Sequence, residues 1–195
     1  RTLFYRRFFS LPEGFAGEGQ RVILHFGAVD QIADVYLNGK EIAHHEGGYL
    51  PFSIDITELL SDTNEIIVKA TDTLDPKYPY GKQTKTRGGM WYTPVSGIWQ
   101  TVWAEAVPES YIEKIKITTD DASAKIEVTA EGEKTLTLES GETYTFTENE
   151  ITITPENPQK WSPESPFVYN FSLKCGDDEI KSYFALRKIE AKVIN

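Results

Sequence analysis

Short runs of residues that alternate apolar and polar, cut at intervals by turn-forming residues, run through almost the whole chain. Val22, Leu24 and Phe26 share one face of Arg21–Phe26, and Ile66, Val68 and Ala70 share one face of Glu65–Ala70. A period of two is that of a strand, and a chain built from such runs folds as sheets packed on sheets. The sharpest local signal is Val35-Tyr36-Leu37-Asn38-Gly39-Lys40-Glu41-Ile42. Asn-Gly tolerates the positive φ angles of a type I′ turn, and the flanking alternation makes this a hairpin. Thr57–Leu60 predicts at most one helical turn, capped by Asp55 or Thr57.

Beyond Val107-Pro108-Glu109-Ser110 the strand series changes character. Ile112, Ile115 and Ile117 are followed by Ile126, Val128 and Ala130, then Leu136 and Leu138, with Asp120-Asp121, Glu131-Gly132, Ser140-Gly141 and Gly176-Asp177-Asp178 as turns. Short strands at this spacing predict a small immunoglobulin-like sandwich, with its lysines, threonines and glutamates on a solvated sheet face. The division predicted is residues 1–108 and 109–195. Trp161, in Trp161-Ser162-Pro163, is expected to anchor a turn against the second sandwich. Asn170-Phe171-Ser172 matches a glycosylation sequon but falls in a predicted strand.

Between the alternating runs lies one long aperiodic stretch, Leu74–Pro94, which holds Pro76, Pro79, Gly81, Gly88, Gly89 and Pro94. It also carries Lys77, Lys82, Lys85 and Arg87, in a chain whose net charge is −10. A loop of this length inside a compact domain is either functional or a mobile solvated segment. It opens at Asp72, on the end of a predicted strand, where a carboxylate either caps a turn or accepts hydrogen bonds from sugar hydroxyls. It closes in Gly88–Trp103, which contains three of the four tryptophans. Alternation from Ile98 to Trp103 predicts a strand buried on both faces, with Trp99 and Trp103 in the core. Trp91 and Tyr92, on the loop before it, stand between two readings, core filling and stacking on a sugar.

Several kinds of chemistry are not supported. The acidic balance speaks against nucleic acid and against an anionic membrane surface, and no apolar run approaches the ~20 residues of a membrane span. His25, His44 and His45 have no metal-ligand spacing, the single cysteine Cys175 has no intrachain partner, and no cofactor motif is present. There is also no recognisable nucleophile, base or pair of carboxyls set across a cleft, so no catalytic residue is assigned.

Taken together, Tyr5-Arg6-Arg7, Leu24–Asp30, Val35–Lys40, Gly47-Gly48-Tyr49-Leu50-Pro51-Phe52, Asp55-Ile56-Thr57 and Val95-Ser96-Gly97-Ile98-Trp99-Gln100 resemble the amino-terminal domain of glycoside hydrolase family 2. Trp161–Pro166 and Tyr183–Ile189 are similar to the closing signatures of that family's immunoglobulin-like domain, with Ala185 where the family commonly has glycine. The family contains β-galactosidases, β-glucuronidases and β-mannosidases. The resemblance implies an all-β chain, a galactose-binding-like jelly-roll sandwich followed by the smaller immunoglobulin-like one. It further implies a (β/α)₈ barrel with the catalytic glutamates beyond Asn195. On that reading the chain is an excised, non-catalytic piece of a retaining β-glycosidase whose first domain borders the sugar site. Strand-like residues at both ends of the sequence fit the same expectation. By the match, Asp72 is a substrate-binding residue, and Trp91 and Tyr92 join it, although the Pro76–Pro94 segment differs from the best-known members. The partners implied are a carbohydrate, the catalytic barrel and, in some assemblies, further copies of the chain. An autonomous carbohydrate-binding module and a structural or adhesive surface protein are the competing readings.

Overall fold

The computed structural model describes residues 1–86 and 88–191. The described residues are all-β, with sixteen strands among them and a single 3-10 turn at Thr57–Leu59. The chain divides into two compact units, Arg1–Val107 and Pro108–Asn195.

The first unit contains β1 (Thr2–Phe9), β2 (Gln20–Phe26), β3 (Val29–Asp30), β4 (Ile32–Leu37), β5 (Lys40–Glu46), β6 (Phe52–Asp55), β7 (Asn64–Thr71), β8 (Gly97–Ile98) and β9 (Val102–Pro108). They form a four-stranded sheet in the order β1-β7-β4-β5, a three-stranded sheet β6-β2-β9 and a two-stranded ribbon β3-β8. The sheets bury the residues whose alternation predicted them. Val22, Leu24 and Phe26 meet Ala33, Val35, Leu37, Val68 and Ala70 in one apolar cluster. Phe26 is completely buried, and a side chain of that size contributes about 2–3 kcal/mol. The β4–β5 turn has both central residues at positive φ, Asn38 at 52° and Gly39 at 81°, as a type I′ turn requires. Asn38 also ties the turn to β7, its Oδ1 accepting from the Glu65 amide at 2.9 Å. The 3-10 turn is entered through Asp55, whose Oδ1 accepts from the Thr57 amide at 2.9 Å.

The second unit contains β10 (Lys114–Thr119), β11 (Ala124–Thr129), β12 (Lys134–Leu138), β13 (Thr143–Phe146), β14 (Glu150–Ile153), β15 (Tyr169–Cys175) and β16 (Asp178–Phe184). Two antiparallel sheets, β10-β11-β14 and β13-β12-β15-β16, enclose Ile126, Leu136, Ile153, Phe171, Leu173 and Leu186. Trp161 is held at the sandwich by its amide, which donates to Leu186 O at 2.9 Å, and the Arg187 guanidinium lies 4.7 Å from its ring centre. In the sequon, Asn170 lies in β15 and its amide donates to Glu139 Oε2 at 2.9 Å.

Two expectations are corrected. Residues 98–103 are not one doubly buried strand. β8 ends at Ile98 and β9 begins at Val102, and Trp99 and Trp103 remain 50% and 43% exposed. The reason is positional. The residues between β8 and β9 leave the ladder, and β9 is an edge strand, so Trp103 finds its partner on the open face by stacking on His25, ring centres 4.7 Å apart. Lys134 is likewise not on a solvated face. It is 1% exposed, and its ammonium donates to Gly132 O, Thr147 O and Glu148 O at 2.9, 3.1 and 3.3 Å, tying two turns together.

Candidate functional site

Asp72 follows the last residue of β7 and still belongs to the sheet, since its amide donates to Arg1 O at 2.9 Å. Its side chain turns inward and is 4% exposed. One oxygen, Oδ1, accepts from the Leu74 amide at 2.8 Å, closing a turn that holds Leu74 at the positive φ of 54°. The other, Oδ2, accepts from the Ser96 hydroxyl at 2.7 Å. The turn-capping role foreseen for this aspartate is therefore present. The same carboxylate also joins the start of the long loop to its end.

Ser96 leads into β8, which pairs antiparallel with β3 so that Gly97 faces Asp30. This brings a second carboxylate, Asp30, close to the first. Asp30 is 8% exposed, and burial, reinforced by the negative charge of Asp72, pushes its pKa up to about 6. Two glycines make the close approach possible. A Cβ on Gly97, whose φ is 101°, would lie 1.9 Å from Tyr5 Oη, and one on Gly48 would lie 2.4 Å from Asp30 Oδ1.

Beside Asp72 opens a recess of about 270 Å³, lined by Asp72, Thr73, Leu74, Lys85, Pro94, Ser96 and Arg1. Its lining offers a carboxylate, hydroxyls and the cationic residues Lys85 and Arg1. Trp91 and Tyr92 are not among these residues. They sit further along the loop, 53% and 65% exposed, where Tyr92 N donates to Lys82 O at 2.8 Å and Val95 N to Gln83 Oε1 at 2.6 Å. Neither ring is core. Of the basic residues singled out in the loop, Lys85 reaches the recess, while Arg87 lies outside the described residues.

The neighbourhood also contains groups that periodicity did not single out. Trp99 projects from the end of β8 with its indole Nε1 donating to Gly48 O at 2.7 Å, and Tyr49 meets it edge-on at 5.8 Å. An acid set directly after the apolar run Gly27-Ala28-Val29 was the available signal for Asp30. No comparable signal marked Trp99, whose exposure depends on where the ladder stops. Among the described residues, no group of three or more His, Cys, Asp or Glu side chains is disposed to hold a metal ion.

Residues 1–106 match the family model described as glycosyl hydrolase 2 galactose-binding domain-like, and residues 105–187 match that of glycosyl hydrolases family 2. The chain belongs to glycosyl hydrolase family 2. Among its family 2 relatives, it is 28% identical over 196 residues to a beta-galactosidase of Thermoanaerobacter pseudethanolicus, an alignment covering 87% of this chain and 25% of that protein. It is 28% identical over 162 residues to the beta-glucuronidase of Homo sapiens, covering 70% of this chain and 25% of the relative. The solved structure of a Faecalibacterium prausnitzii beta-glucuronidase superposes with a TM-score of 0.73 at 29% identity, over 97% of this chain and 38% of that one. The chain thus spans about a quarter of the length of these two curated relatives.

Proposed function

We propose that this chain is the non-catalytic front portion of a retaining β-glycosidase, and that its first unit lends one wall of the substrate site through Asp72. The observation that carries the proposal is the recess at the end of β7, where a buried, fixed carboxylate meets a serine hydroxyl beside an open volume. A carboxylate held by two donors keeps lone pairs for a sugar hydroxyl and needs no reordering to receive it. That relatives named beta-galactosidase and beta-glucuronidase extend well beyond the matched portion supports a catalytic domain lying outside these residues.

The alternative, that Asp30 and Asp72 are themselves the catalytic pair, is physically unsuited. Retaining hydrolysis needs two carboxyls about 5 Å apart flanking an accessible glycosidic bond. Asp30 is 8% exposed, does not line the recess and has Gly48 packed directly against it, so it cannot flank an accessible glycosidic bond.

The test has two parts. The 195-residue chain alone should turn over no nitrophenyl β-glycoside and bind simple sugars with a dissociation constant of about a millimolar or weaker, because one wall does not enclose a ligand. In the gene product that includes the downstream residues, Asp72→Asn should lower kcat/KM about ten- to a hundredfold, the value of a hydrogen bond to a charged acceptor. Ser96→Ala should cost much less, because it removes the tether and keeps the carboxylate. Equal losses in the two variants would reduce Asp72 to a structural clasp, and micromolar binding by the isolated chain would favour an autonomous carbohydrate-binding module.

A further inference from the structure

Trp99 and Tyr49 form a corner that the Asp72 recess does not account for. Both rings are 50% exposed, and they meet at an interplanar angle of 68° with centroids 5.8 Å apart. Half-exposed aromatic rings on a protein surface are ordinarily free to change rotamer. Trp99 is not, because its indole is bonded to a loop that is itself pinned from several sides. The indole of Trp99 donates to Gly48 O at 2.7 Å. Gly47 N donates to Gln31 O at 2.8 Å, and His45 Nε2 donates to Gly47 O at 3.2 Å. On the protein side of Gly48 stands the Asp30 carboxylate, with no room even for a methyl group between them. Asp30 keeps the loop from shifting inward, and the indole bond keeps the Trp99 ring half-exposed with Tyr49 edge-on against it.

From this we infer that Trp99 and Tyr49 are a stacking platform for the apolar C–H face of a pyranose ring, a carbohydrate-contacting element separate from the Asp72 recess. Rings held in place before binding lose little conformational freedom when a ligand settles on them, which is the condition for a weak polar ligand to bind at all. Two rings at an open angle present one flat face and one edge, and this suits a ring whose faces are apolar and whose rim carries hydroxyls. The inference relies on the proposed carbohydrate function only for the class of ligand; the place and the residues come from the geometry of the corner.

The experiment is a titration of the ¹⁵N-labelled 195-residue chain with cellobiose, lactose and methyl β-glucuronide, read at the indole and backbone resonances. The Trp99 indole N–H and the Gly48 and Tyr49 amides should shift together for at least one sugar, with a midpoint of about a millimolar to tens of millimolar. Tyr49→Ala leaves the Trp99–Gly48 bond in place and should weaken that binding about three- to tenfold. Trp91→Ala should leave it unchanged. Shifts confined to Leu74, Lys85 and Ser96 would leave the Asp72 reading standing and overturn this one. Shifts at Trp99 that survive Tyr49→Ala undiminished, or no shift at Trp99 with any of the sugars, would overturn it as well. The reverse result, with shifts at the corner and none at the recess, would support the platform and leave Asp72 to the kinetic test in the longer gene product.

Discussion

Replacing Asp30 by asparagine should make the first unit more stable at neutral pH, and the size of the gain should depend on pH in a defined way. The folded chain holds this carboxyl at a pKa of about 6 against an ordinary value of 3.8, because the side chain is buried and Asp72 lies nearby. Between those values the folded state keeps a proton that the unfolded chain has released. Stability therefore falls as pH rises through this window, and the penalty is complete above about pH 6. The shift corresponds to about 3 kcal/mol, an upper figure. Asparagine has nearly the same shape and no charge, and burying its amide returns about 1 kcal/mol of the gain. A net stabilisation of about 2 kcal/mol is expected near pH 7.5, turning into a net loss of about 0.5 kcal/mol near pH 4, where the charge penalty has nearly gone and the amide cost remains. Urea unfolding followed by tryptophan fluorescence reads the right unit, since Trp91, Trp99 and Trp103 belong to it and only Trp161 to the other. Other carboxylates, such as Asp34 and Asp55, are held below their ordinary range and slope the other way, but they are common to both proteins and cancel in the difference. A difference that is flat from about pH 4 to about pH 7.5, or an Asp30→Asn protein less stable than its parent near pH 7.5, would refute the reasoning.

Gly97→Ala should destabilise the first unit by about 2–4 kcal/mol, since it adds a Cβ at positive φ and drives it into Tyr5 Oη. In urea unfolding, Tyr5→Ala in the same chain should recover the steric share and leave the φ strain; strictly additive losses would argue against the clash. Lys134→Met should cost the second unit about 2–4 kcal/mol by leaving three carbonyls without their donor. Hydrogen exchange of the β12 and β15 amides should accelerate accordingly, and unchanged protection would mean that water replaces the ammonium without loss.

Much of the architecture was legible in the order of the residues because it rests on local rules. Alternation put Val22, Leu24 and Phe26 on one face, and Asn38-Gly39 demanded the turn it makes. The motif series in register pointed to glycoside hydrolase family 2, and the family models match the same stretches. What a side chain faces across the fold was decided only by tertiary structure. Trp99 and Trp103 have the composition of core residues, yet they lie on an edge strand and at a break in the ladder, and neither condition can be read from spacing. Lys134 alternates like any solvated lysine, but the turn just before it and a second turn at Thr147–Glu148 close over it with three carbonyls. Asp30 and Asp72 are 42 positions apart in the chain, and only the pairing of β3 with β8, together with the Ser96 clasp, buries Asp30 and brings the Asp72 charge near enough to add to the effect of that burial. Local sequence sets period and turn, which are properties of neighbours along the backbone. Burial, charge coupling and exposed rings depend on which strands become edges and which loops close, and those are settled only when distant segments pack.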